Sequence, residues 1–226
     1  MAGSLSGGML GSQEGPDMLT IAIRRAHPSA TPPRGFTLIE LMVTIALLAI
    51  LVTLAVPAFT TWIRNAQIRS AAEALQGGIR TAQAEALRRN RQVVMAFTTA
   101  TPASGIKAED DGNSWTLNTV AKFGEMAEYI SGGSVAETNS TVTVTTVGIV
   151  YSICFNSNGR LVENVSPGVT DAKCEAPAAV AFNINQSSAD RALRVIVQPG
   201  GQVRMCDPKR PTLSDATPDG CPASPI

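Results

Sequence analysis

Residues 36–59, FTLIELMVTIALLAILVTLAVPAF, hold one charged side chain, Glu40, in 24 positions. As a helix rising about 1.5 Å per residue, this run is long enough to cross a hydrocarbon layer of about 30 Å with some tilt. The segment therefore reads as a membrane helix, and every other part of the chain has to be arranged around it. Glu40 is the anomaly. A carboxylate in a membrane helix is costly unless it finds a partner, so a functional reason for it comes before a structural one.

The flanks set orientation and processing. Residues 1–35 are rich in Gly, Ser and Pro, and Arg24, Arg25 and Arg34 precede the apolar run. Basic residues on this side keep it in the cytoplasm, so the chain beyond the apolar run is exported. A secretory signal would have a shorter apolar region followed by a small-residue cleavage site. Here the small residue, Gly35, comes before the apolar run. The chain has 226 residues, 44% of them hydrophobic and only 4% aromatic, enough for one membrane segment and one folded domain with a modest core.

The stretch Gly35-Phe36-Thr37-Leu38-Ile39-Glu40 resembles the class III signal of type IV prepilins and pseudopilins, residue for residue, and Pro57 falls where such helices commonly carry a kinking proline. The resemblance implies cleavage between Gly35 and Phe36 by a prepilin peptidase that also methylates the new amine, with the apolar run retained. Glu40 then becomes the fifth residue. In such filaments the acid is thought to neutralise the N-terminal amine of a neighbouring subunit, which agrees with the rule that a charge in an apolar core needs a partner. A leader of 35 residues is longer than is usual for this signal; Met9 and Met18 are alternative starts, the second giving MLTIAIRRAHPSATPPRG.

Beyond the membrane, Ile68, Ala71, Leu75, Ile79, Ala82 and Ala86 step by three and four residues, which marks one helical face and predicts a helix continuing to about Asn90. Gly77 and Gly78 interrupt it at about 1 kcal/mol each relative to Ala. Because the stripe keeps its phase across the pair, tight packing of a strand is the favoured explanation. After Arg91, the runs QVVMAF, WTLNTVAKF, TVTVTTV, IVYSICF, AVAFNI, ALRVIV and QVRMC alternate with Gly, Asn, Pro and Ser, as antiparallel strands require. Asn156-Ser157-Asn158-Gly159 and Gln198-Pro199-Gly200-Gly201 are expected to join strand pairs. The expected fold is α+β and pilin-like: a leader over 1–35, a transmembrane and filament-core helix over 36–60, an amphipathic helix over 61–91, and a β-rich periplasmic domain over 92–226 with a disulfide-tied tail.

Within that superfamily, the helix RNAQIRSAAEALQGGIRTAQAEALRRNRQVVM, the hairpin ICFNSNGRLV and the closing VIVQPGGQVRMCDP look like the GspH/FimT branch. That resemblance implies a structural subunit, expected to be a FimT-like minor type IV pilin that supports pilus assembly. The alternative is a GspH-like minor pseudopilin of a type II secretion system. Implied partners are the prepilin peptidase, other pilins or pseudopilins of the same filament, and the inner membrane. For FimT-like pilins that take up DNA in natural transformation, double-stranded DNA is a further partner, bound around a Gly-Arg-x-Arg pattern. Here the pattern reads Gly201-Gln202-Val203-Arg204, so only Arg204 carries over.

Charge bears on that choice. The leader holds three of 18 basic and two of 18 acidic groups, which leaves 15 and 16 and no global field to draw in nucleic acid. Locally, residues 107–175 carry a balance of −5, whereas Arg191, Arg194, Arg204, Lys209 and Arg210 against Asp207 give residues 191–210 a balance of +4. These five cations are the candidate DNA contacts; the bland reading is that they solvate a hairpin and tail. Arg64, Arg69, Arg80, Arg88, Arg89 and Arg91 on the helix are expected to meet lipid headgroups or neighbouring subunits at the proximal end and water at the distal end.

Cys154, Cys174, Cys206 and Cys221 all follow the membrane helix, are even in number and allow three pairings; proximity favours Cys154 with Cys174 and Cys206 with Cys221. They form no C-x-x-C, and the only histidine, His27, lies in the leader, so neither a zinc site nor Ser-His-Asp or Cys-His catalysis is expected. Asp110 and Asp111 lie in KAEDDGNS, which reads as a polar turn and not a catalytic cleft. No Gly-rich phosphate motif follows a strand, so no cofactor and no enzymatic activity are expected.

Overall fold

The computed structural model describes residues 35–110, 112–122, 124–135, 141–148, 150–175, 179–187 and 189–222. Residues 1–34 of the expected leader, with Arg24, Arg25, His27 and Arg34, lie outside the described residues, as does Asp111. The chain divides into two units, Met1–Ala46 and Leu47–Ile226. One long helix, α1, runs Leu38–Arg89 with Pro57 inside it, followed by eight strands: β1 Val93–Thr98, β2 Ser114–Thr119, β3 Tyr129–Ser134, β4 Val142–Thr146, β5 Ser152–Phe155, β6 Val180–Gln186, β7 Leu193–Val197 and β8 Val203–Cys206.

In the first unit the helix begins with a cap. The Glu40 backbone N–H donates to Thr37 Oγ1 at 3.2 Å, satisfying one of the amides that a helix start leaves without an internal acceptor. Thr37 and Glu40 thus stand at the N-cap and third helical position of a Thr-x-x-Glu sequence, and the acid lies in the first turn, where the helix dipole favours negative charge.

In the second unit α1 ends in a Schellman motif. Asn90 takes φ 48°, its N–H donates to Leu87 O at 3.2 Å, and the Arg91 N–H donates to Ala86 O at 3.2 Å, a close reached here with Asn in the left-handed position. The stripe Ile68, Ala71, Leu75, Ile79, Ala82 and Ala86 is buried throughout. It packs into one core with the inner faces of two four-stranded antiparallel sheets, β3-β2-β1-β5 and β4-β6-β7-β8. Phe97 of β1 and Phe182 of β6 meet at 5.0 Å between ring centroids and join the two sheets across that core.

Each sheet also has its outer face covered, which the alternation of a half-exposed strand does not predict. Val94, Ala96 and Cys154 of the first sheet cluster with Ala108, Val120, Ala172 and Cys174 from flanking segments. Ala181, Ile196 and Cys206 of the second cluster with Cys221 from the tail. The disulfides Cys154–Cys174 and Cys206–Cys221 each link a strand to the segment lying over it. For this reason β1, β2 and β5 are buried on both faces.

Several boundaries differ from expectation. Strand β2 ends at Thr119, well before the end of the expected run at residue 123, which lies outside the described residues, and β5 starts at Ser152. The Asn156–Gly159 turn does reverse the chain, but its return limb pairs only at the bridge Phe155 to Leu161. Strand β3 was not expected. Its sequence YISGGS is poor in β-formers, yet Gly133 is required: a Cβ there would come within 2.6 Å of the Trp115 indole. The same ring explains half of the helical glycine pair. A Cβ on Gly78 would lie 2.5 Å from Trp115, whereas Gly77 has nothing within 4 Å. Trp115 of β2 therefore lies between α1 and β3, in space left by two glycines.

Candidate processing segment and closing hairpin

The residues of the expected processing site are accessible. Gly35 and Glu40 are exposed, and Phe36 is 84% exposed. From Leu38 to Phe59 the large apolar side chains are exposed too, so α1 carries a surface that is apolar without being buried. Phe59 and Trp62 stack near the end of this run at 5.9 Å. The Pro57 carbonyl accepts from the Thr60 and Thr61 hydroxyls at 2.9 and 3.1 Å.

The five candidate DNA contacts occupy the other end of the sequence. Strand register sets Arg194 opposite Cys206 and Ile196 opposite Arg204, and directly opposed residues share a face, so Arg194 and Arg204 stand on the outer, tail-covered side of the second sheet. The structure engages four of the five. Arg191 donates through Nε and Nη2 to Asp207 Oδ2 at 3.3 and 3.1 Å. Arg194 Nε donates to Asn183 Oδ1 at 2.7 Å, Lys209 Nζ to Asp190 O at 2.6 Å, and Arg210 pairs with Asp219 at 3.2 Å. Arg204 is half-buried in β8, and its side chain makes no polar contact among the described residues.

These partners come together only in the folded chain, and the net charge of residues 191–210 does not show them. Asp207 is 5% exposed and holds the hairpin to the tail: its Oδ2 accepts from Arg191, its Oδ1 accepts from the Lys209 N–H at 2.9 Å and its own N–H donates to Asp219 O at 2.8 Å. Asp219 lies beyond the window and is drawn in next to Cys221 and its disulfide, which lowers the local balance from +4 to +3. The sequence signal available for it was the proximity of Asp219 to Cys221.

Gly201, first residue of the expected pattern, has a structural duty of its own. Its φ of 90° and the nearness of the Gly159 carbonyl leave no room for a side chain. Gln83 of α1 fixes this contact, donating from Nε2 to Gly201 O at 2.5 Å and Gly159 O at 3.1 Å, while the Leu161 N–H donates to Pro199 O at 3.1 Å. Both turns are thereby held to the helix.

The distal helix cations are not simply solvated, contrary to expectation. Arg88 and Arg89 both pair with Glu85, Arg89 also reaches Glu128, and Arg91 pairs with Glu125 at 2.8 Å, which ties the loop after β2 to the end of α1. Hydrogen bonds from Arg88, and next from Arg89, hold the Glu85 carboxyl well below its usual range, at about 2.

A long, capped helix with an exposed apolar first half, packed by its second half against antiparallel sheets, defines the class of pilin-like filament subunits. The chain belongs to the family described as Type II transport protein GspH, whose model matches residues 71–201, and residues 33–56 match the prokaryotic N-terminal methylation motif. Among solved structures, it is similar to the type IV minor pilin FimU of Pseudomonas aeruginosa PAO1, at 20% identity over 66% of this chain and 97% of that one, with a TM-score of 0.47. It is also similar to the minor pseudopilin EpsH of the Vibrio cholerae type 2 secretion system, at 10% identity over 64% and 99%, TM-score 0.42. A further similar structure is GspH of E. coli, at 9% identity over 65% and 94%, TM-score 0.41. No curated protein matches the chain. Members of this family are structural pilins, and the methylation motif implies processing by a prepilin peptidase and assembly with other pilins or pseudopilins.

Proposed function

We propose that the protein is a minor subunit of a type IV pilus, FimT-like in kind, cut between Gly35 and Phe36, methylated at Phe36, and held in the inner membrane by residues 36–60 with its β-rich domain in the periplasm until it enters a filament. The observation that carries this reading is the methylation motif followed by an exposed apolar helical surface bearing Glu40 in its first turn. Such a surface is stable only in lipid or against other apolar helices. In both settings Glu40 needs a cationic partner, which a neighbour's N-terminal amine provides, and the processed chain acts by packing, not by catalysis.

A second reading, a minor pseudopilin of a type II secretion system, is supported by the description of the matching family. Deleting the gene separates the two: loss of surface pili with normal protein secretion supports the pilus, and loss of secreted proteins with normal pili supports the pseudopilus. DNA uptake is a narrower part of the first reading. Its support is Arg204, with Arg191, Arg194, Lys209 and Arg210 available only where phosphate outcompetes the partners they already hold.

A further inference from the structure

The segments that cover the outer face of the first sheet leave a gap over β2. It is a cleft of about 350 Å³ with Ile106, Ala127 and Val169 in its walls, Asn118 at its floor, and Ser104 and Thr170 at its rim. Asn118 stands opposite Val94, on the covered side of β2, and is 6% exposed. Its Nδ2 donates to Thr116 Oγ1 at 3.1 Å, while its Oδ1 accepts from no group among the described residues. Among those residues, the side-chain atoms both sealed and without a partner are Arg91 Nε and Gln186 Oε1, which no ligand can reach. Asn118 Oδ1 is not sealed; it opens on the cleft. A carbonyl oxygen this deep is unfavourable without a donor, so the place belongs to water or to the N–H or O–H of a ligand. A ligand gains the apolar walls as well.

The rim supplies the opposite half. Ser104 and Thr170 are exposed, and their hydroxyls form no hydrogen bond among the described residues, so both are available as donors. An acceptor at the floor, donors at the rim and aliphatic walls between them match a secondary amide that carries a small apolar side chain. Charge is not part of the match. Glu125, the one charged residue among the described lining residues, already holds Arg91 at 2.8 Å.

Two observations favour a polypeptide as the source of that amide. The described walls hold no aromatic face on which a sugar ring could lie. At the mouth stands Met126, 90% exposed, and its flexible thioether suits a surface that adapts to peptide side chains.

We propose that this cleft binds an extended segment of another polypeptide through one of its backbone amides. Asn118 Oδ1 accepts from the N–H, the Ser104 or Thr170 hydroxyl donates to a nearby C=O, and an aliphatic side chain such as valine lies against Ile106 and Val169. The inference goes beyond the filament role and does not depend on processing at Gly35.

The test titrates the full chain in detergent with acetyl-Ala-Val-Ala-amide and reads binding by saturation transfer to the peptide methyl protons, with empty micelles as the blank. The expected result is saturable binding with a Kd on the order of 10⁻³ M, as suits so small a ligand. Methylating the amide nitrogens of the peptide should weaken binding at least about fivefold, the factor that one hydrogen bond supplies, and Asn118→Leu should do the same. Ser104→Ala combined with Thr170→Val should also weaken it about fivefold; both positions are exposed, so this variant keeps the test open if Asn118→Leu does not fold. N-acetylglucosamine, which carries an amide on a sugar, should not compete. Absence of saturable binding, equal binding of the N-methylated peptide, or unchanged affinity in a folded Asn118→Leu or in the rim variant would each overturn the proposal. Competition by N-acetylglucosamine as strong as by the peptide itself would overturn it too, by assigning the cleft to a glycan.

Discussion

Gly78 of α1 and Trp115 of β2 are in contact because Gly78 lacks a side chain: a Cβ there would lie 2.5 Å from the indole. Gly77, one residue earlier, faces open space. Two adjacent glycines in one helix should therefore respond oppositely to the same substitution. Gly78→Ala should destabilise the chain by about 1–3 kcal/mol through overpacking, while Gly77→Ala should stabilise it by up to about 1 kcal/mol through helix propensity. Urea denaturation of the two variants in detergent measures both.

Gln83 holds the two turns to the helix through the Gly159 and Gly201 carbonyls. Replacing it with Leu leaves both oxygens without this donor and should cost about 1–3 kcal/mol. Amide hydrogen exchange should accelerate at Leu161, whose N–H bridges the turns, more than in β2.

The ion pairs at the end of α1 carry a pH signature. Glu85, lowered from an ordinary 4.5 to about 2, contributes stability that is fully present above pH 4.5 and is lost as the pH falls through about 2. Glu109 is lowered to about 2 as well, chiefly by the Thr99 hydroxyl, then by the Thr99 N–H and Lys107, and its contribution has the same sign. Acidification from pH 6 to pH 3 should lower the denaturation midpoint, and Glu85→Gln should reduce that drop while lowering the midpoint at pH 6.

The DNA component is testable through Arg204. The account expects weak, salt-sensitive binding of duplex DNA, with a Kd on the order of 10⁻⁵ M or poorer, because most of the hairpin cations are already engaged. Arg204→Gln should weaken binding further at low salt. Titrations at two salt concentrations would remove DNA from the account if wild type shows no binding, or if the variant binds equally well.

Much of this architecture was legible in the sequence because two periods are strong. The stripe from Ile68 to Ala86 could only be a helical face, and all six of its residues are buried. What was not legible depends on pairs brought together by tertiary structure. Strand β3 reads as a turn because its glycines serve Trp115 and not the strand. The double burial of β1 follows from segments stapled over it from far along the chain, which strand alternation does not encode. Along the sequence the closing hairpin reads as strongly basic, whereas Asp207 and Asp219 neutralise Arg191 and Arg210 through the fold of the tail. Glu40 read as an assembly residue from the motif alone; its place in the first turn beneath Thr37 adds a local role in starting the helix.

The assembly claim for Glu40 separates from that local role by substitution. Glu40→Gln keeps the backbone N–H that Thr37 Oγ1 accepts but removes the charge. The chain should still be cleaved and inserted, with incorporation into filaments reduced at least about tenfold if an apolar filament core leaves the neighbour's amine unpaired. Immunoblots of sheared filaments against membranes give the ratio, and normal incorporation would argue against the pairing.

The central claim is that this chain becomes a filament subunit by processing at Gly35. Intact-mass and N-terminal peptide analysis of the protein recovered from assembled filaments tests it most directly. The account predicts a chain that begins at N-methylated Phe36, with both disulfides formed. Recovery of assembled protein that retains residues 1–35, or that begins after the apolar run, would contradict it.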